Sequence, residues 1–133
     1  AETMGMSLSG SASPPAISAR RRQIAYETGR RAVELVRLNV MPRDIMTARA
    51  FTNAWMVDLA VGGSTNTTLH LPAIAREAGI ALDLRELDDL SRRVPNICHL
   101  RPAGEHFMED FDRAGGVPAV LNRLRGCWRT RRP

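Results

Sequence analysis

The sequence contains no lysine, and all 19 of its basic residues are arginine. Aromatic residues make up only 5% of the chain, so a core has to be built mainly from aliphatic side chains and methionine. No apolar run approaches the roughly 18–20 residues that cross a bilayer. The N-terminus lacks the basic segment and apolar stretch of a secretory signal. We therefore expect no membrane partner and a cytoplasmic location.

Cysteine is almost as scarce, with Cys98 and Cys127 the two examples. Their spacing matches neither a CxxC motif nor the framework of a small disulfide-rich domain. Two thiols are also too few for an iron–sulfur cluster, which takes three or four protein ligands. We expect this chain to hold no metal or cofactor by itself.

The net charge of +5 is concentrated at one end. Residues 125–133 contain four arginines and no acid, which leaves 15 arginines against 14 acids in residues 1–124. A nucleic-acid-binding protein would carry its basic residues on a folded face instead. We therefore expect no nucleic-acid partner, and we interpret residues 125–133 as a divergent arginine-rich tail.

The spacing of apolar residues predicts a mainly α-helical chain with one to three short strands. Such a chain would supply helices and an edge to a larger α/β protein. Residues 1–18 are rich in Ser, Gly, Ala and Pro, which predicts a loop with little structure of its own. Extended structure is predicted at 80–82 and at 94–100. The predicted helices span 16–39, 48–61, 66–78, 83–92, 106–114 and 117–124.

The boundaries of these helices have local signals. Pro42 is expected to stop the first helix, because a proline inside a helix removes a hydrogen bond. Thr47 and Asp83 are expected to cap the second and fourth helices with their side-chain oxygens. The second helix, 48–61, is apolar almost all round, which is typical of a helix buried inside a larger protein.

The segment 62–66, Gly-Gly-Ser-Thr-Asn, is the most informative local motif. Two glycines allow a tight turn and the close approach of a ligand, and the polar residues stand at the start of a helix. A helix start attracts anions, so Gly63, Ser64, Thr65 and Asn66 are candidate substrate-binding residues. An ordinary helix cap explains the same residues without a ligand.

His70 is a further candidate for substrate binding, because it lies four residues after Asn66 on the same helix face. The alternative is a hydrogen-bonded, partly buried histidine with no role in a site. Asp58 is unusual as an acid inside an apolar helix. We expect it to pair with an arginine from elsewhere in a larger protein or with a backbone group, since a lone buried carboxylate is costly.

The remaining clusters of polar residues predict neither a metal site nor a catalytic group. His99 and His106, with acids at 105, 109 and 110, match no metal-ligand spacing and indicate a solvated turn and helix start. No Ser-His-Asp or Cys-His arrangement can be assembled from the spacings. We therefore assign no catalytic residue and no metal ligand within this chain.

An ordered set of short motifs resembles the dihydroxy-acid/phosphogluconate dehydratase family over about residues 4–124. Within that family, the stretch 94–100, followed by 102–104 and 108–110, favours dihydroxy-acid dehydratase. Any one motif is weak, and the resemblance depends on their order and spacing. The matching segments are 5–8, 10–12, 43–47, 50–54, 62–66, 70–71, 73–75, 102–104 and 114–120.

The resemblance implies a hydro-lyase that converts 2,3-dihydroxy acids to 2-keto acids in the biosynthesis of isoleucine and valine. It also implies an iron–sulfur cluster, Mg²⁺ and a homodimer, because these are properties of the family. The family's cluster cysteines, metal ligands and catalytic base lie in segments that have no counterpart here. Residues 1–124 are thus expected to be the central part of an N-terminal, cluster-bearing domain, and this internal fragment is expected to be inactive alone.

Two alternatives remain open at this point. The chain could derive from a phosphogluconate or sugar-acid dehydratase, since those enzymes share much of the pattern. It could instead be a non-catalytic helical module that binds a partner through the apolar helix 48–61. Under the first alternative the enzyme acts on a different substrate. Under the second the protein catalyses no reaction.

Overall fold

The computed structural model describes residues 1–126, and the structured elements in that range are all helical. A short 3₁₀ turn, Glu2–Met4, precedes seven α-helices. The helices are α1 (Ala19–Arg37), α2 (Pro42–Ile45), α3 (Ala48–Val61), α4 (Thr67–Glu77), α5 (Leu84–Ser91), α6 (Met108–Arg113) and α7 (Gly116–Arg123).

Helix α3 lies at the centre of the molecule. It begins where the Thr47 hydroxyl accepts a hydrogen bond from the Ala50 amide at 3.3 Å, as predicted. Phe51, Trp55 and Ala60 are completely buried, and no residue from 50 to 61 is exposed. The 3₁₀ turn, α4, α5 and α7 all pack against it. The alternative in which this helix binds a partner is not supported, because other described residues of the chain cover it.

Two groups of apolar side chains form the core, one around the first half of α3 and one around its second half. The larger group joins Trp55 to Leu90 of α5, Phe111 of α6 and the completely buried Leu124. The smaller group joins Phe51 to Met4 in the 3₁₀ turn, together with residues of α4. Burial of side chains along both halves of α3 stabilises this helix, and the candidate motif begins at its end.

The first 18 residues are a loop, as predicted, but they are anchored to the rest of the chain. The Glu2 carboxylate accepts hydrogen bonds from the amides of Gly10 at 2.5 Å and Ala12 at 2.8 Å. The buried Ser13 hydroxyl donates to Asp112 Oδ1 at 2.6 Å. The expectation of little structure missed these bonds, because their partners are distant in sequence.

Helix α1 differs from the others because none of its residues is buried. It begins at Ala19, where the Ser18 hydroxyl accepts from the Arg21 amide at 3.2 Å. It ends before Asn39, whose φ of 53° is left-handed and terminates helices. Pro42 does not stop α1 as predicted; it is the first residue of α2, where a missing N–H costs nothing.

The predicted short strands are absent from residues 1–126, where the one β-type contact is an isolated bridge between Leu100 and His106. At 94–100, the Ile97 and Cys98 amides instead both donate to the Ala60 carbonyl at the end of α3. At 80–82, the Ile80 amide bonds back to Ala75 and closes α4. Neither segment has a neighbouring strand with which to pair, so the prediction of one to three strands is wrong.

Most of the arginine-rich tail predicted for residues 125–133 lies outside the described residues, and so does Cys127. Among the helices that the structure does describe, none combines the length and the hydropathy needed to cross a membrane.

Candidate functional site

The Gly-Gly-Ser-Thr-Asn motif forms a tight turn between α3 and α4. Gly62 ends α3 with a left-handed φ of 68°, a conformation that glycine adopts without steric cost. The Gly63 amide then donates to the Asp58 carbonyl at 2.8 Å, which reverses the chain over the last turn of α3. The sequence predicted this turn and the role of its glycines.

Gly63 is required for a second reason, which is its contact with the Asp58 side chain. A Cβ atom at residue 63 would overlap with the carboxylate oxygen and carbon of Asp58. The space that a side chain at residue 63 would take is therefore occupied by the carboxylate of Asp58, a residue of the same chain.

Among residues 1–126, the Asp58 side chain pairs with Thr67 and with neither an arginine nor a backbone group. Thr67 Oγ1 lies 2.8 Å from Asp58 Oδ2 and 2.7 Å from the Ser64 carbonyl oxygen. The hydroxyl has one proton, so it donates to one of these two acceptors at a time. The sequence carried a signal for this pair, because a two-glycine turn folds the start of α4 back onto the end of α3.

The pKa of Asp58 is raised above its ordinary value of 3.8. Burial of the carboxyl group is the main cause, and the hydrogen bond from Thr67 opposes it. The carboxylate also lies beside the first residue of α4, where the positive end of a helix dipole stabilises an acid. The chain thus supplies its own negative charge to this helix start.

The first amides of α4 are also satisfied within the chain. The Asn66 amide donates to Ser64 Oγ at 3.2 Å, and the Thr67 amide donates to the Ser64 carbonyl at 3.1 Å. The Thr68 amide donates to the Thr65 carbonyl at 3.0 Å. Asn66, the N-cap residue of α4, makes no side-chain capping bond, so the ordinary-cap interpretation is supported only through Ser64. These bonds leave few free N–H groups for an external anion.

The top of the turn is open to solvent. Gly63, Ser64, Thr65 and Asn66 are all exposed, so side-chain hydroxyls and one amide group form its outer surface. His70 is also exposed, which differs from the partly buried alternative for this residue. The structure therefore brings the four motif residues together at one surface and places His70 one helical turn further along α4.

The segment after α5 packs beside this turn. The Asn96 side chain lies close to Gly62, and the Ile97 and Cys98 amides bond to the Ala60 carbonyl. Burial raises the pKa of the half-buried Cys98 thiol above its ordinary value, which favours the protonated form. Sequence reasoning missed this neighbour, because it treated 94–100 as a strand.

The described residues offer no metal centre. Within residues 1–126, no group of three or more His, Cys, Asp or Glu side chains could hold a metal ion. Asp110 instead caps α6 by accepting from the Phe107 amide at 2.9 Å, and His99 and His106 are exposed. The interpretation of this region as a solvated turn and helix start is consistent with these contacts.

Known proteins show what this chain is similar to. The sequence pattern of the dihydroxy-acid/6-phosphogluconate dehydratase N-terminal family matches residues 1–129. A dihydroxy-acid dehydratase from Endomicrobium trichonymphae is 59% identical over 120 residues, which cover 90% of this chain and 22% of that protein. The dihydroxy-acid dehydratase of Methanothermobacter thermautotrophicus is 57% identical over 124 residues, covering 92% of this chain and 23% of that protein.

A third dihydroxy-acid dehydratase, from Moorella thermoacetica, is 53% identical over 123 residues, covering 92% of this chain and 22% of that protein. The chain thus spans less than a quarter of the length of each of these relatives. The family pattern nevertheless covers nearly all of it, and the motif at 62–66 lies well inside the match. The chain belongs to the dihydroxy-acid/6-phosphogluconate dehydratase N-terminal family.

Proposed function

We propose that this chain is a segment of a dihydroxy-acid dehydratase, a hydro-lyase that removes water from 2,3-dihydroxy acids to give 2-keto acids. The observation that carries the proposal is the identity of 53–59% to proteins named dihydroxy-acid dehydratase over at least 90% of the chain. The activity then belongs to the biosynthesis of branched-chain amino acids, in a cytoplasmic homodimer.

The family name also covers 6-phosphogluconate dehydratases, and these are the second candidate. The relatives described above favour the first candidate, because each of them is named for dihydroxy acids. The two candidates differ in the phosphate group and length of the substrate, so one assay with both compounds separates them.

The exposed top of the turn is the surface proposed to contact substrate, through Gly63, Ser64, Thr65 and Asn66, with His70 nearby. Solvent exposure of all five residues supports this role. Because Asp58 and the helix amides are already paired, the groups left for a ligand are hydroxyls and an amide. Such groups suit the hydroxyls of a dihydroxy acid better than its carboxylate.

An iron–sulfur cluster and Mg²⁺ are proposed for the longer enzyme, as in its family. The residues described here do not fit either group, since no cluster of metal-ligating side chains occurs among residues 1–126. We therefore derive no step of the reaction through them.

We also propose that the domain boundary lies at residue 124 and that the isolated chain has no dehydratase activity.

A graft tests the proposed function. The 120 matched residues of the Endomicrobium trichonymphae enzyme are replaced by those of this chain, and conversion of a 2,3-dihydroxy acid is measured. We expect activity within about tenfold of the host, a barrier change of about 1.4 kcal/mol. A folded graft that converts 6-phosphogluconate instead would favour the second candidate, and a folded graft inactive on both would overturn the proposal.

The substrate-contact role has its own variants in the same graft. Asn66→Ala removes an exposed amide at the turn and is expected to raise KM several-fold, about 1 kcal/mol of lost binding. Ser91→Ala, at an exposed position in α5, is the matched control and should leave KM unchanged. Equal KM values for the two variants would remove Asn66 from the proposed contact surface.

A further inference from the structure

The outer side of α1 carries apolar residues that the described chain leaves more than half exposed, and Val33 among them borders a cavity that Leu8 also lines. Tyr26, Val33 and Val36 are 69%, 53% and 80% exposed. With Gly29 they follow a spacing of three, four and three residues, which places all four on one side of the helix. We call these four residues the outer face.

The opposite side of α1 contacts the loop of residues 1–18 at the first turn of the helix. Ile24 and Leu35 are partly covered on this side, and Arg21 donates to the carbonyls of Ser11 at 2.8 Å and Pro14 at 2.6 Å. The first turn of α1 is therefore attached through its inner side to the loop of residues 1–18. The outer face is left in solvent by this packing, although contiguous exposed apolar side chains usually mark a binding surface.

Gly29 supports the same interpretation. Glycine in the middle of a helix weakens it relative to alanine. Gly29 has no unusual backbone angle, and a Cβ atom there would meet nothing within 4 Å. Nothing in the described chain therefore requires glycine at this position. A glycine between Tyr26 and Val33 allows the backbone of a second helix to approach α1 closely.

The charge of α1 indicates the chemistry of what covers it. The helix has six arginines and two glutamates, whereas the other described residues have ten arginines and twelve acids. Glu27 and Glu34 pair with Arg30 and Arg31. Two further arginines of α1, at positions 22 and 37, have no side-chain partner within residues 1–126. Two α1 helices from separate copies would therefore repel each other, and an acidic segment would be attracted.

We propose that the outer face of α1 docks a helix bearing carboxylates that belongs to the part of the dehydratase polypeptide outside the matched region. The matched region is 22% of the Endomicrobium trichonymphae relative, so most of such a polypeptide is free to supply this helix. Its apolar side meets Tyr26, Val33 and Val36, and its carboxylates meet Arg22 and Arg37. The inference rests on the proposed function, because it requires the longer polypeptide.

Thiol labelling tests this docking directly. Val33→Cys and Val36→Cys are made separately, with Cys98 and Cys127 replaced by serine. Each is compared between the full 133-residue chain and the graft into the Endomicrobium trichonymphae enzyme. We expect labelling at least about tenfold slower in the graft, since the covered thiols react only when the contact opens. Arg85→Cys, on α5 with its side chain 92% exposed, is the control for general changes in reactivity.

Charge reversal tests the chemistry of the occupant. In the graft that carries Val33→Cys, adding Arg22→Glu with Arg37→Glu should restore fast labelling of the introduced thiol, whereas adding Arg85→Glu should not. A thermal melt of each protein verifies that it is folded. The same graft in the Moorella thermoacetica relative serves as a second host if the first does not fold.

Two results would overturn the docking proposal. One is equal labelling of the chain and the graft at positions 33 and 36. The other is protection that grows with concentration in the chain alone, which would mean that a second copy covers the face. A graft that is active but unprotected rejects only the docking, and one that is protected but inactive rejects only the proposed function.

Discussion

Gly63 and Asp58 fit together only because residue 63 has no side chain, since a Cβ atom there would overlap with the Asp58 carboxylate. The first prediction concerns this pair. Gly63→Ala should lower the free energy of unfolding by about 1–3 kcal/mol, because the carboxylate or the turn has to move. Chemical denaturation of the chain measures the change.

The matched control is Gly29→Ala, which introduces the same methyl group into open space at a helical position. It should raise the free energy of unfolding by about 0.4–1 kcal/mol, since alanine restricts the unfolded chain. If both substitutions changed stability in the same direction and by the same amount, the contact between Gly63 and Asp58 would not be the cause.

The second prediction concerns the pH dependence of Asp58. Because burial raises its pKa in the folded state, the folded chain holds this proton more tightly than the unfolded chain does. Stability contributed by the protonated carboxyl is therefore lost as pH rises from the ordinary pKa of 3.8 through the raised value. Asp58→Asn keeps the shape of the side chain but cannot ionise. The free energy of unfolding of this variant, relative to that of the natural chain, should therefore increase as pH rises through that range.

Urea denaturation from about pH 3 to about pH 7 measures this difference. A carbon NMR titration of the Asp58 carboxyl gives the pKa directly. Thr67→Val removes the hydrogen bond that lowers the pKa, so it should raise the pKa further. A pKa of Asp58 at or below 3.8 in the natural chain would contradict the assigned effect of burial.

The third prediction concerns the anchor of the N-terminal segment. Ser13→Ala removes the hydroxyl that donates to Asp112 at 2.6 Å and should cost about 1–2 kcal/mol of stability. Ser91→Ala removes an exposed hydroxyl that donates to the Asp88 carbonyl, and it should change stability by less than about 0.5 kcal/mol. Limited proteolysis should cut residues 1–18 faster in the first variant alone. Indistinguishable variants would mean that the segment is not held by Ser13.

The fourth prediction concerns the core beside α7. Leu124 is completely buried, so Leu124→Ala should lower the free energy of unfolding by about 2–5 kcal/mol. Leu69, which is 70% exposed, is the control, and Leu69→Ala should cost far less. Both variants are compared in a thermal melt followed by near-UV circular dichroism. A non-cooperative melt of the natural chain would show that this core is not tightly packed in the isolated segment.

The sequence predicted the features that depend on neighbouring residues. Thr47 and Asp83 cap α3 and α5 as expected, because a capping side chain needs only an amide two or three positions away. The turn at 62–63 was likewise predicted from adjacent residues, its two glycines. All the predicted helices are present, with ends shifted by a few residues.

Features that depend on distant partners were harder to predict. The segment 94–100 has the apolar composition of a strand, but its amides are used by the Ala60 carbonyl at the end of α3. The hydrogen bond from Thr67 to Asp58 was not predicted for a similar reason, since Thr67 becomes a neighbour only after the turn folds. An arginine partner from elsewhere in a larger protein stays a prediction. The substrate-contact role of residues 63–66 stays a prediction until the graft is assayed.

The bond between Ser13 and Asp112 joins residues 99 positions apart, so the loop of residues 1–18 can dock only after the chain around Asp112 has folded beside it. Contacts at such separation form late, because a long loop has to close first. Docking of residues 1–18 is therefore expected to be among the last steps when this segment folds.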